Sequence, residues 1–253
     1  MLKRPIVIIG AMEVEVEELI KKLKNKEGKN IKTYEFYEGI INEYPVVICK
    51  SQCMTINASL ATFIAIENYN PIAIINIGTA GGNDKNVARG DIVIGKECFN
   101  TNSYITKVKK DGEGSNPNEW DYITFVAGGE DKETTEKCDI NLLKLANEVK
   151  EKYTKGTVHI GKIGSGDSWN REIDRIKFFN QKYQVLCEEM EGIAVYTVAN
   201  KFNIPVIGIR VISDNEILGQ EYIRSLGKDG QEFVYEVILN IVRKIDELKE
   251  RKI

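Results

Sequence analysis

Residues 72–82 read Ile-Ala-Ile-Ile-Asn-Ile-Gly-Thr-Ala-Gly-Gly, an apolar run broken only by Asn76 and closing on glycines. A run with almost no polar side has nothing to offer water, so it belongs in the middle of a sheet that helices cover on both faces. The glycines let backbone come close to a ligand. A turn requiring positive φ would call for them equally. Gly90-Asp91 then opens a further strand over residues 92–94.

The same alternation extends outward. Ile6 to Ile9 is a short apolar strand followed at once by Gly10, and Val14, Leu19, Ile20 and Leu23 then recur at helical spacing. Residues 32–37 and 46–50, separated by Gly39 and residues 42–45, form an antiparallel hairpin added to the sheet. Residues 56–67 make a helix with Leu60, Phe63 and Ile64 on one face, stopped at Asn70-Pro71 because proline cannot continue a helix. Residues 100–119 are polar, contain glycine and lack a period, and so form a long surface loop. The second half predicts helices over residues 141–153, 171–180 and 192–202 and strands over 157–163 and 206–212. In the closing amphipathic helix Phe233, Val237, Ile241 and Ile245 line one side, with Glu236, Arg243, Lys244 and Lys249 away from it.

Composition narrows the partners. The chain has 253 residues, 42% hydrophobic, enough to bury the core of one α/β domain. With 38 acidic against 35 basic residues the net charge is -3, a field that attracts neither nucleic acid nor an anionic membrane, so a small molecule is the expected partner. The residues before Ile6 are too few for a signal sequence, and no stretch is long and apolar enough to span a bilayer. Five cysteines without paired metal-ligand spacing fit a reducing cytoplasm. His159 is the only histidine, so acid and base chemistry falls to carboxylates and no metal site is expected.

Four segments carry candidate chemistry, each where a strand ends or a helix begins, the edge of an α/β sheet at which ligands bind. In Gly10-Ala11-Met12-Glu13-Val14-Glu15 the acidic residues Glu13, Glu15 and Glu17 fall in the first turns of a helix. The helix dipole alone accounts for negative charge there; one glutamate over the strand end can also deprotonate a water. The segment 78–82 is the second. The third, Glu188-Glu189-Met190-Glu191-Gly192, places three carboxylates at the start of an apolar helix, where they cannot all be buried unpaired. They are either a solvated helix start or acceptors for sugar hydroxyls, with Met190 as an apolar wall between them. In the fourth, Arg210-Val211-Ile212-Ser213-Asp214-Asn215, an apolar strand ends in an aspartate that can form a turn or act as a general acid.

Taken in order, Gly-Ala-Met-Glu-x-Glu, Ile-Gly-Thr-Ala-Gly-Gly with Gly-Asp-Ile-Val, Glu-Met-Glu-Gly and Arg-x-Ile-Ser-Asp resemble the methylthioadenosine/S-adenosylhomocysteine nucleosidases of the nucleoside phosphorylase superfamily. The resemblance runs from Ile6 to Asp214 and weakens over residues 100–130. It implies an α/β fold: a single three-layer domain over residues 1–253 with a central mixed β-sheet flanked by helices, assembled as a homodimer and needing no cofactor. It implies an N-ribosyl hydrolase that cleaves 5′-methylthioadenosine, S-adenosylhomocysteine or a related adenine nucleoside.

By the same resemblance Glu15 activates the attacking water and Asp214 protonates the purine N7. Glu191 binds the ribose 2′- and 3′-hydroxyls and stays ionised, with Met190 beneath the sugar. Thr79, Ala80 and Gly81 match the turn beside the nucleoside, and residues 166–170, with Trp169 and Asn170, match the segment that stacks on adenine and meets its edge. Met12, Glu189 and Ser213 complete the substrate contacts, and Arg210 stands behind the carboxylates.

The chemistry suits these residue types. Departure of neutral adenine needs a proton on the ring nitrogen, and the sugar left behind resembles an oxocarbenium ion. Two rivals remain. A phosphorylase would bind phosphate, but Asn76 stands where hexameric phosphorylases carry an arginine, and residues 12–17 are acidic. A nucleoside-binding protein would keep the pocket without turnover. The chain departs from the family pattern at residues 51–55, Ser-Gln-Cys-Met-Thr in place of Gly-x-Gly-Lys, and at Trp169 in place of phenylalanine, which leaves the 5′-substituent open.

Overall fold

The computed structural model describes residues 3–123 and 134–245. Lys249 and the far end of the 100–130 stretch lie outside the described residues. Strand β1 (Ile6–Gly10) is buried throughout, as its lack of polar side chains requires. It lies between the parallel strands β4 (Tyr44–Lys50) and β5 (Ala73–Gly82). Strand β3 (Tyr34–Ile41) pairs antiparallel with β4 around the turn at Asn42 and Glu43, which gives the expected hairpin with longer arms.

Outside the hairpin runs β2 (Lys24–Ile31), a strand absent from the sequence-based expectation. Its Lys-Asn-Lys-Glu-Gly-Lys-Asn-Ile has no apolar alternation because it is an exposed edge, and charge there discourages further pairing.

Beyond β5 the order is β9 (Val185–Glu189), β8 (Val158–Ser165), β6 (Ile92–Asn100) and β10 (Val206–Asp214), with β7 (Thr135–Lys137) on β6. β10 also pairs with β5, so five strands close into a small barrel from which β1 to β4 extend. The sheet is mixed, with β6–β8 and β8–β9 parallel and β5–β9 and β6–β10 antiparallel.

Helices cover both faces. On one, α1 (Glu13–Lys22), α3 (Ile140–Asn147) and α6 (Gly227–Arg243) bury Val16, Leu19, Leu142, Leu145, Phe233, Val237 and Ile241. On the other, α2 (Thr55–Tyr69) and α5 (Gly192–Lys201) contribute Ala58, Ala61, Ala65, Val195 and Ala199. α4 (Ile173–Tyr183) closes a separate aromatic cluster with Phe99, Tyr122, Phe179 and Tyr183.

Three expectations are corrected. The face of α2 that carries Leu60 and Phe63 is exposed, whereas the alanine face is buried. A helix apolar on nearly every side gives no periodic signal to choose between its faces. The helix predicted over 141–153 ends at Asn147 and continues as a single 3-10 turn, Lys150–Lys152. Residues 78–82 are not a turn at all but the second half of β5, and no glycine among them has positive φ.

Candidate active site

The C-terminal ends of β1, β5, β9 and β10 surround a cavity of about 290 Å³. Met12, Glu15, Thr79, Ala80, Gly81, Trp169, Asn170, Glu189, Met190, Glu191, Ser213 and Asp214 all line it. Residues separated by two hundred positions in the chain are thus drawn to one concavity. The glycines explain themselves here. A β-carbon at Gly78 would stand 3.1 Å from Glu15 Oε1, and one at Gly81 would stand 3.2 Å from Asp214 Oδ2. The strand lacks side chains because carboxylates pack directly on its backbone.

Glu15 lies in the first turn of α1, where backbone N–H groups have no helical partner. Its carboxylate turns back to them: Oε2 accepts from Ala11 N at 3.0 Å and Met12 N at 2.9 Å. Oε1 accepts from Thr79 N at 2.8 Å and Thr79 Oγ1 at 3.1 Å. Burial nevertheless dominates and raises the Glu15 pKa. Asp214, at the end of β10, accepts from Ser213 Oγ at 2.6 Å, and burial raises its pKa as well.

Glu188 and Glu189 belong to β9 rather than to a helix, and Glu191 is the residue before α5. Glu189, expected among the substrate contacts, has its oxygens engaged already. They accept from Gly192 N at 2.9 Å and Glu191 N at 3.0 Å and pair with Arg210 Nη2 at 2.6 Å. Arg210 is not a lining residue. It lies buried behind the cavity, also donating to Asn76 O at 2.8 Å and to Asn76 Oδ1.

Glu191 Oε1 accepts from Met54 N at 2.8 Å. Met54 adopts φ 78°, rare for a residue with a side chain, to aim that N–H. The departure at residues 51–55 therefore builds part of the cavity beside Glu191, where Cys53 is a lining residue. Burial, reinforced by the charges of Glu189 and Glu15, pushes the Glu191 pKa up to about 8. That shift works against the ionised form expected from the sequence.

Four lining residues carried no sequence signal: Asn83, Ile176, Glu216 and Tyr222. Tyr222 packs edge-on against Trp169 with centroids 5.4 Å apart, a lone aromatic in a loop without period.

Residues 5–243 match the profile of the phosphorylase superfamily. The 5′-methylthioadenosine/S-adenosylhomocysteine nucleosidase of Oceanobacillus iheyensis is 30% identical over 246 residues, covering 94% of this chain and 98% of that protein. Its counterpart in Bacillus licheniformis is 31% identical over 242 residues, covering 93% and 99%. Among solved structures, the Neisseria meningitidis nucleosidase in complex with methylthio-immucillin-A superposes with a TM-score of 0.76 at 24% identity, covering 93% of this chain and 99% of that one. The Helicobacter pylori futalosine hydrolase superposes with a TM-score of 0.77 at 19% identity, covering 93% and 97%, so one fold serves both. With the match spanning nearly its whole length, the chain belongs to the phosphorylase superfamily and, within it, to the 5′-methylthioadenosine/S-adenosylhomocysteine nucleosidases.

Proposed function

We propose that the chain hydrolyses the N-glycosidic bond of a 5′-substituted adenosine, 5′-methylthioadenosine or S-adenosylhomocysteine in the first instance, with water as nucleophile. The observation that carries this reading is a cavity wall rich in carboxyl groups and without a cation. Glu15, Glu188, Glu189, Glu191, Asp214 and Glu216 line it, and no lysine or arginine stands among the described lining residues. Such a wall offers a phosphate dianion no cation to bind, which disfavours the phosphorylase, and suits a sugar that becomes positive.

Asp214 protonates N7 of the base as the bond from C1′ to N9 breaks, and burial, by raising its pKa, favours the protonated form this step uses. Glu15 takes a proton from the water whose oxygen bonds to C1′. All four of its acceptor positions are filled, and only the Thr79 hydroxyl among those donors can rotate. That hydroxyl turns to the neighbouring Tyr222 phenol and leaves its place to the water. Glu191 holds the ribose hydroxyls over Met190. In its ionised form Glu191 stabilises the positive charge growing at C1′, an interaction that strengthens along the reaction. Arg210 and Glu189 position the helix start that carries Glu191.

Residues 1–253 act in this reading as one catalytic domain, in the cytoplasm, where five free thiols are at home. The active form is a homodimer joined through the exposed face of α2. Ile56, Leu60 and Phe63 form an apolar stripe there, extended by Phe202 with its ring 5.8 Å from Phe63. The stripe begins two residues after Met54, near the rim of the cavity. A two-fold pairing of two such stripes is self-complementary.

The reading is tested by incubating the protein with 5′-methylthioadenosine and assaying free adenine with and without phosphate. Equal release in both supports hydrolysis. Release only with phosphate refutes it, and binding without release makes the protein a nucleoside binder.

A further inference from the structure

Glu188 is a carboxylate on the cavity wall that the mechanism does not use. It sits in a row of three. Glu188 on β9 is the cross-strand partner of Gly81 on β5, and Gly81 is the partner of Asp214 on β10. Partners across neighbouring strands project on the same face of the sheet. The two carboxylates therefore stand two strand spacings apart, about 10 Å, with a residue lacking a side chain between them. The nearest atoms to the β-carbon position at Gly81 all belong to Asp214, from 3.2 to 3.9 Å. Glu188 leans the other way, its Cγ lying 2.9 Å from the β-carbon position at Gly164. The Asp214 carboxyl group thus covers Gly81, and the gap between it and Glu188 is flanked by one carboxyl group on each side, an arrangement suited to a flat ring system hydrogen-bonded at opposite edges.

The polar contacts of Glu188 are one-sided. Oε2 accepts from Asn83 Nδ2 at 2.6 Å and from Asn170 Nδ2 at 3.0 Å. The Asn170 amide is held in that sense because its Oδ1 accepts from Glu172 N at 3.2 Å. Oε1 receives no hydrogen bond among the described residues. Burial raises the Glu188 pKa, the two amide donors oppose it, and a third donor from a ligand would add to their side and favour the ionised carboxylate.

Resting on the reading of Asp214 as the group at N7, we propose that Glu188 reads the opposite edge of the base, accepting through Oε1 a hydrogen bond from an N–H of the purine's pyrimidine ring. That N–H is a ring N1–H, as in 6-oxopurines, or a 2-amino group. Adenine has neither: N1, N3 and C2–H face that edge, so adenine leaves Oε1 without a donor. The site accordingly takes purines carrying such an N–H in addition to adenine, and holds them more tightly. A purely structural Glu188 would instead tie the Asn83 and Asn170 segments together and leave base preference untouched.

Calorimetric binding of three free bases, adenine, hypoxanthine and 2,6-diaminopurine, separates these roles without requiring turnover. At neutral pH, at least one of the latter two is expected to bind on the order of tenfold more tightly than adenine, the value of one hydrogen bond to a charged acceptor. Preference for 2,6-diaminopurine alone assigns the 2-amino group, and preference for hypoxanthine alone assigns N1–H. Glu188→Gln and Glu188→Val should each bring the three bases to within about threefold of one another. Adenine ranking first in the unmodified protein, absence of binding by all three bases, or a ranking unchanged in whichever variant folds overturns the proposal. Failure of phosphate-free hydrolysis of 5′-methylthioadenosine, with the base ranking intact, would sink the hydrolase reading alone.

Discussion

The Arg210 guanidinium donates to Glu189 Oε2 from Nη2 at 2.6 Å and from Nε at 3.2 Å, in a pair almost wholly withdrawn from water behind the catalytic pocket. Removing one charge from such a pair leaves the other buried and unpaired. Glu189→Gln should therefore lower the unfolding free energy by about 3 kcal/mol, read by urea denaturation. It should also lower the Glu191 pKa, because the Glu189 charge is among the causes that raise it. A stability loss under ~0.5 kcal/mol would contradict the account of this pair.

Asp214→Asn removes the proton donor while keeping shape and the Ser213 contact. Turnover should fall by at least ~100-fold with Tm unchanged, measured as adenine release beside a thermal melt. Full activity would remove Asp214 from the mechanism.

Glu15→Gln behaves differently, because backbone N–H groups donate to both of its oxygens. The new amide must point an N–H at one of those donors, which costs about 1–3 kcal/mol of stability in addition to turnover. Nucleoside binding, followed by calorimetry, should survive. A variant as stable and as active as the parent would refute both points.

Glu191 links pH to stability. Its pKa is about 8 in the folded chain against an ordinary 4.5, so between those values the folded state holds a proton that the unfolded state has lost. That contribution is complete below the lower value and is lost as pH rises through the upper one. Melting temperature should fall across this range, and Glu191→Gln should flatten the fall. Parallel curves for parent and variant would mean that Glu191 is not raised.

Phe63→Glu places a charge in the apolar stripe of α2 without disturbing its buried alanine face. Sedimentation velocity should show a dimer for the parent and a monomer for the variant. A monomeric parent would refute the assembly.

Which parts of the molecule are legible in its sequence follows from how local the physics is. The buried strands at Ile6, Ala73 and Val206 and the stripe of Phe233, Val237 and Ile241 are set by solvent exclusion acting residue by residue, so their pattern is written along the chain. Edge strand β2 carries no such pattern, because exposed backbone pairing asks nothing of its side chains. The carboxylates at 15, 189, 191 and 214 are visible as motifs, but their duties are not. Glu189 and Glu191 are two residues apart, yet one is committed to Arg210 and the other opens to the cavity.

The amino-acid order by itself determined a helix-covered sheet, the family, and the set of acidic residues from which the chemistry is drawn. Only the tertiary structure decided that residues 78–82 run straight against two carboxyl groups, that burial beside other carboxylates raises the Glu191 pKa, and that Glu188 and Asp214 flank Gly81 on neighbouring strands. These depend on strand register and on loss of water around groups far apart in the chain. Neither is a property of any local stretch of sequence.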